Sequence, residues 1–174
     1  MLAIIADTHL PRRSRALPEA CVERLRAADL IVHAGDFVAR SVYDELAALG
    51  PPVVAVHGNQ DDAELRALLP AERVVDVAGV RIGLIHDAGA PKGRLERMRR
   101  RFPDCDAVVF GHSHIPLHEV APDGFQIFNP GSPTDRRRQP EHTMGAATIA
   151  DGAIRFEVFG FPPQAGGRPP ATRS

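Results

Sequence analysis

The sequence predicts an α/β protein of two sheets packed face to face with helices outside. Three observations carry that prediction. Up to about residue 70, short apolar runs alternate with helical patterns, the rhythm of parallel strands joined by right-handed crossovers. From Arg73 onward, apolar runs pair across turns that contain Gly, which marks hairpins. The runs also end repeatedly in Asp, Asn or His, and in open α/β sheets ligands gather beyond the carboxyl ends of the strands. One sheet is therefore expected to be mixed and drawn from the βαβ half, the other to be built mostly from hairpins.

In chain order, residues 2–6 are continuously apolar, reading as a strand buried on both faces and closed by Asp7-Thr8-His9. A loop with Pro11, Arg12, Arg13 and Arg15 follows. Pro18 suits the first helical position, so a helix is expected to about residue 28, with Cys21, Val22 and Leu25 on one face. Residues 30–32 form the next strand, followed by His33-Ala34-Gly35-Asp36. A helix over 41–49 turns Val42, Leu46 and Leu49 inward and stops at Gly50-Pro51. Strand 53–56 leads into His57-Gly58-Asn59-Gln60-Asp61, and a short helix over 62–69 ends at Pro70. Runs 73–77 and 80–85 pair around Ala78-Gly79 and finish at His86. A basic helix covers 92–101, and strand 107–110 opens into Gly111-His112-Ser113-His114. Runs 117–120 and 125–128 pair around Pro122-Asp123-Gly124, and runs 143–149 and 153–159 around Asp151-Gly152. Residues 1–160 read as one domain. Residues 161–174, rich in Pro and Gly and without periodicity, are expected to be a mobile extension.

Composition excludes several function classes. A net charge of −1 gives no bulk attraction for nucleic acid or an anionic membrane. No apolar run approaches the ~20 residues that span a bilayer, and no signal peptide is seen. Cys21 and Cys105 make neither a disulfide framework nor a zinc knuckle, so a reducing cytoplasm is the expected location. The arginines of helix 92–101 read as a solvated helix face. His118 and His142 read as surface or packing residues.

The strand ends collect Asp7, His9, Asp36, Asn59, His86, His112 and His114. Carboxylate, amide and imidazole together suit Mn, Fe, Co, Ni or Zn, whereas Ca wants more oxygens and Mg fewer histidines. Seven donors exceed one tetrahedral site but suit two ions that share a carboxylate. Such a pair sits about 3.5–4 Å apart and clamps an in-line displacement at phosphorus.

Asp-x-His, Gly-Asp, Gly-Asn-x-Asp, a strand-terminal His, Gly-His-x-His and Asn129-Pro130-Gly131-Ser132, in this order, resemble the calcineurin-like metallophosphoesterases. The short form resembles their small YfcE-like phosphodiesterase branch, and also the metallophosphoesterase-fold subunit of the retromer coat. The resemblance spans about residues 1–160. It implies a four-layer α/β/β/α sandwich. It also implies a phosphodiesterase that attacks a small phosphodiester with a hydroxide bridging two divalent transition metal ions, Mn foremost. One ion would take Asp7, His9, Asp36 and His114, the other Asp36, Asn59, His86 and His112. Asp36, Asn59 and His86 are the expected catalytic residues, with Asn59 also holding a phosphate oxygen. His33 is expected to support the site without ligating. Residues 129–132 are expected to form a structural turn, followed by a phosphate-facing arginine among Arg136, Arg137 and Arg138. Arg12, Arg13, Arg15 and His57 lie near enough to the same region to be phosphate candidates.

Two positions depart from the family pattern. Gln60 stands where many relatives have a His, and glutamine cannot act as a general acid. Asp87-Ala88 follow His86 where relatives often have Gly and a further His. The alternative is a non-catalytic scaffold for protein interaction. A homo-oligomer is compatible with either function.

Overall fold

The computed structural model describes residues 1–12, 14 and 16–161. The elements follow the expected order. The first half comprises β1 (Leu2–Ile5), α1 (Glu19–Arg26), β2 (Leu30–His33), α2 (Arg40–Ala47), β3 (Val53–Ala55) and α3 (Ala63–Leu68). The second comprises β4 (Glu72–Val77), β5 (Val80–Ile85), α4 (Arg94–Arg101), β6 (Ala107–Val109), β7 (Leu117–Val120), β8 (Gln126–Asn129), β9 (His142–Ala150) and β10 (Ala153–Phe161). Element ends shift by a residue or two for local reasons. Pro18 is the N-cap, with ψ 139°, so α1 begins at Glu19 and not at the proline. Gly93 adopts φ +69°, which delays α4 to Arg94. Asp62 caps α3 by accepting the Leu65 N–H at 2.8 Å.

The first sheet has the order β10-β9-β1-β2-β3 and the second β4-β5-β6-β8-β7. Strands β1, β2 and β3 are mutually parallel, as the crossovers require. In the second sheet β5, β6 and β8 are parallel, with β4 and β7 antiparallel at its edges. The division into a βαβ sheet and a hairpin sheet needs one correction. The last hairpin joins the first sheet, because β9 pairs antiparallel with β1 in the register Leu2↔Ala147 and Ile4↔Gly145. Gly145 is needed there, since a Cβ would lie 2.4 Å from the Phe128 ring of the opposite sheet.

Alternation along single strands distributes the core into layers. Leu2 and Ile4 of β1 face Ile82, Leu84, Val109 and Phe128 between the sheets. Ala3 and Ile5 face outward beneath α1 and α2, against Leu25, Val42 and Leu46. Val108 and Ile127 of the second sheet face Met98 of α4 and Phe102, which caps it. The result is the four-layer α/β/β/α sandwich. Each fully buried side chain of this size contributes roughly 1.5–3 kcal/mol.

The basic run of α4 is largely engaged by the fold itself. Arg97 donates to the Ala88 and Ala90 carbonyls, Arg99 pairs with Asp123 at 2.9 Å, and Arg101 pairs with Glu72. His118 packs edge-on against Phe128 and Phe156. Phe161, expected to open the tail, is buried at the end of β10. The expected mobile extension, from residue 162, and Arg13 and Arg15 lie outside the described residues. No helix among the described residues is long and apolar enough to cross a membrane.

Candidate metal centre

The parallel strands of both sheets deliver their carboxyl ends to one place. Asp7 and His9 follow β1, Asp36 follows β2, Asn59 follows β3, His86 follows β5, and His112 and His114 follow β6. Asp7, His9, Asp36, His112 and His114 all have left-handed φ, between 45° and 68°. That conformation costs an L-residue about 1–2 kcal/mol, and Asp and His tolerate it better than most. It breaks the strand alternation and lets neighbouring donors reach one cleft. Backbone outliers on five of the seven expected ligands are a feature of functional sites.

The seven side chains form one unbroken series of near contacts. His114 Nε2 lies 3.5 Å from Asp7 Oδ1 and 3.2 Å from His9 Nε2. His9 Nε2 lies 3.5 Å from Asp36 Oδ2, and His86 Nε2 lies 3.3 Å from the same oxygen. Asn59 Oδ1 is 3.1 Å from both His86 Nε2 and His112 Nδ1. All the expected ligands are therefore brought together, with Asp36 in the middle. His112 sits at the rim, its side chain 46% exposed.

Neighbouring groups fix how these donors point. His86 Nδ1 donates to the Ala34 carbonyl at 2.8 Å, and His114 Nδ1 to the Asp135 carbonyl at 2.6 Å. Each bond assigns the proton to Nδ1 and leaves the Nε2 lone pair facing the cleft, the arrangement typical of ligating histidines. The Gln60 N–H donates to Asp36 Oδ1 at 2.7 Å, so Gln60 serves the site through its backbone whatever its side chain. Asp61, buried, accepts the N–H groups of Asp36, Val38 and Gly58, tying two ligand loops together. The turn over 129–132 does the same on the other side. Asn129 donates to the Gly111 carbonyl and Ser132 to the Asp7 carbonyl. His33 is fully buried, accepts the Gly35 N–H, faces Thr8 Oγ1 at 3.2 Å and stacks on Phe37. It thus supports the loops and offers no free lone pair.

Electrostatics and burial test whether cations fit. Asp7 is fully buried, and neither of its carboxylate oxygens has a hydrogen-bond partner. A buried carboxylate left this way is expensive unless a cation compensates it. Asp7 can join His9 and His114 around one point, or Asp36 and His86 around another. Burial alone would lower the His86 imidazole, but Asp36, Asp7 and the Ala34 carbonyl outweigh it and carry it up to about 9. Burial would raise the Asp36 carboxyl, yet His86, the Gln60 N–H and His9 hold it below its ordinary value. The unsatisfied Asp7 carboxylate and the two groups of converging donors fit divalent cations.

Two clefts flank the centre and meet at Asn59. The polar one, about 350 Å³, is lined by Arg12, Gln60, His112, Asp135 and Arg137 beside the ligands. Of the three candidate arginines, Arg137 faces this cleft, whereas Arg136 donates to the Gln139 carbonyl. His57 lies in the second cleft. Asp135 escaped the sequence reading because it acts on His114 through its backbone carbonyl, which no residue type signals.

Two consequences can be measured. A Cβ at Gly58 would stand 2.1 Å from Asp36 Oδ1 and 2.5 Å from its backbone N. Gly58→Ala is therefore expected to weaken metal binding about 10–100-fold, the scale of a lost supporting contact, as read by titration calorimetry. His33 is held well below its ordinary 6.5, by burial first and by the charge of His86 next. Above 6.5 folded and unfolded forms are both neutral, so His33 leaves stability unaffected there. Below it the unfolded chain binds a proton that the fold refuses, and stability falls as pH drops, by up to about 1.4 kcal/mol per pH unit. Urea midpoints between pH 7.5 and 5 should show a shallower fall in His33→Gln.

A family model, described as the calcineurin-like phosphoesterase superfamily domain, matches residues 1–152. A probable metallophosphoesterase of Methanothermobacter thermautotrophicus is 35% identical over 136 residues, covering 77% of each chain. Vacuolar protein sorting 29 of Cryptosporidium parvum superposes with a TM-score of 0.73 at 23% identity, over 93% of this chain and 97% of that one. A structure described as a novel archaeal phosphodiesterase superposes with a TM-score of 0.69 at 21% identity, over 91% and 99%. With the family model spanning nearly the whole described chain and a relative above 30% identity, the chain belongs to the calcineurin-like phosphoesterase superfamily.

Proposed function

We propose that the chain is a phosphodiesterase working with two divalent transition metal ions, manganese foremost, with iron, cobalt, nickel and zinc compatible with the same donors. The observation that carries this is Asp36 Oδ2, which lies 3.5 Å from His9 Nε2 and 3.3 Å from His86 Nε2, between two donor groups. Asp7, His9, Asp36 and His114 would hold one ion, and Asp36, Asn59, His86 and His112 the other. When bound, such ions supply Lewis acidity at a phosphoryl oxygen and acidify a water to a nucleophile at neutral pH.

The remaining chemistry belongs to the chain. Arg12 and Arg137 face the polar cleft and match the charge of a phosphate. Asn59, shared by both clefts, stands where a phosphate oxygen would be held. Gln60 has no proton to give at neutral pH, so either esters with good leaving groups are favoured or another acid, such as a metal-bound water, would protonate the leaving oxygen. The buried carboxylate of Asp7, whose oxygens have no hydrogen-bond partner, supports a metal-dependent enzyme over a scaffold with the same fold. The reducing cytoplasm is the proposed location, in keeping with two free, buried cysteines.

The test is turnover of bis(p-nitrophenyl) phosphate and p-nitrophenyl phosphate by manganese-loaded protein. Hydrolysis of the diester at the higher kcat/KM supports the proposal. A preference for the monoester overturns the diester assignment, and hydrolysis of neither overturns the enzyme.

A further inference from the structure

The second cleft opens directly onto the candidate metal centre. Its volume is about 320 Å³, and it shares Asn59 and His86 with the centre. That size holds an aryl ring or heterocycle, at the lower end of the range for ligand pockets. Ala71 and Ile85 give it apolar surface, and His57 contributes a flat ring.

Its charges are arranged to leave little call for an anion. The Arg101 guanidinium is taken by Glu72, with Nε donating to Oε2 at 2.8 Å. Arg66 donates to the Asp61 carbonyl at 2.9 Å and to the Asn59 carbonyl at 2.6 Å, so it holds the ligand loop in place. Both cations in the lining therefore already face acceptors of the protein. Asp87 stands at the exposed edge of the lining. Its Oδ1 accepts the Gly89 N–H, and its Oδ2 lies 4.0 Å from His112 Nε2. A second anionic group entering past Asp87 would meet like charge, since Glu72 is paired with Arg101, whereas the polar cleft offers Arg12 and Arg137.

We infer that this cleft is the subsite for one organic arm of the substrate, and that it takes a flat, uncharged group of the aryl or heterocyclic class. This rests on the phosphodiesterase reading and deepens it: an arm that must be organic and neutral selects aryl or heterocyclic esters over inorganic phosphate and pyrophosphates. Asp87, lining the cleft, becomes a specificity residue that disfavours charged arms.

The test uses non-hydrolysable probes on manganese-loaded protein, with affinities read by calorimetry. Phenylphosphonate is expected to bind about tenfold more tightly than methylphosphonate, a gain of about 1.4 kcal/mol. Ala71→Trp fills the cleft from an exposed position. It should bring that ratio close to one while leaving methylphosphonate unchanged. In the wild type, 4-carboxyphenylphosphonate should lose most of the gain. Equal affinities for phenyl- and methylphosphonate in the wild type, or a ratio that survives Ala71→Trp, would overturn the subsite. Full affinity for the carboxyphenyl probe would overturn its neutrality. If no phosphonate binds, the phosphoesterase centre itself fails and the subsite falls with it, a result distinct from losing the ratio alone.

Discussion

Asp36→Asn is expected to lower kcat/KM for bis(p-nitrophenyl) phosphate by about 10³-fold or more, equivalent to about 4 kcal/mol of transition-state stabilisation. The substitution is nearly isosteric, and asparagine can still accept the Gln60 N–H that Asp36 Oδ1 accepts at 2.7 Å. What it removes is the negative charge at the oxygen lying between His9 and His86. A single ligand to one ion could be lost with partial activity, but a shared carboxylate affects both positions. Circular dichroism unchanged from wild type would assign the loss to the centre and not to the fold. Activity within about tenfold of wild type would exclude Asp36 as the bridge.

Asp7→Asn is expected to change stability in opposite directions with and without metal. In chelator, the wild-type protein buries a carboxylate whose two oxygens have no hydrogen-bond partner. Replacing it by a neutral amide should stabilise the metal-free protein by about 1–3 kcal/mol, the usual penalty of an unsatisfied buried group. With manganese, the order reverses. An ion at a hundred times its dissociation constant stabilises the folded state by about 2.7 kcal/mol, which for a chain of this length is a rise in Tm of about 5–10 °C. Asp7→Asn should forfeit most of that rise. Differential scanning fluorimetry with chelator and with manganese measures both halves. A mutant destabilised in chelator would show that Asp7 has a structural partner after all.

The sequence carried most of the fold because most of its signals are local. Continuous apolar runs in β1 and β6 and turn chemistry at Ala78-Gly79 and Asp151-Gly152 act within a few residues. The placement of β9 beside β1 does not, since Leu2 pairs with Ala147 and no local pattern specifies the partner strand. The candidate ligands were legible as a cluster because each is a polar residue closing an apolar run, and strand direction then brings the closing residues together. Their supports were less so. Asp61 was visible as part of a motif, but its task of accepting three backbone N–H groups appears only when the two loops are folded against each other. Arg137 could not be told from Arg136 and Arg138 by type or spacing, and the loop backbone decides which one faces the cleft. The second cleft joins His57, Ala71 and Asp87, distant in sequence and unremarkable singly.

The central claim is that seven side chains hold two ions through one shared carboxylate. Metal content per chain, determined by mass spectrometry after manganese reconstitution and removal of loosely bound ions, tests it most directly. Two ions per wild-type chain, falling to one or none in Asp36→Asn, is the expected result. One ion or none in the wild type, or two ions in both proteins, would contradict the shared-carboxylate centre.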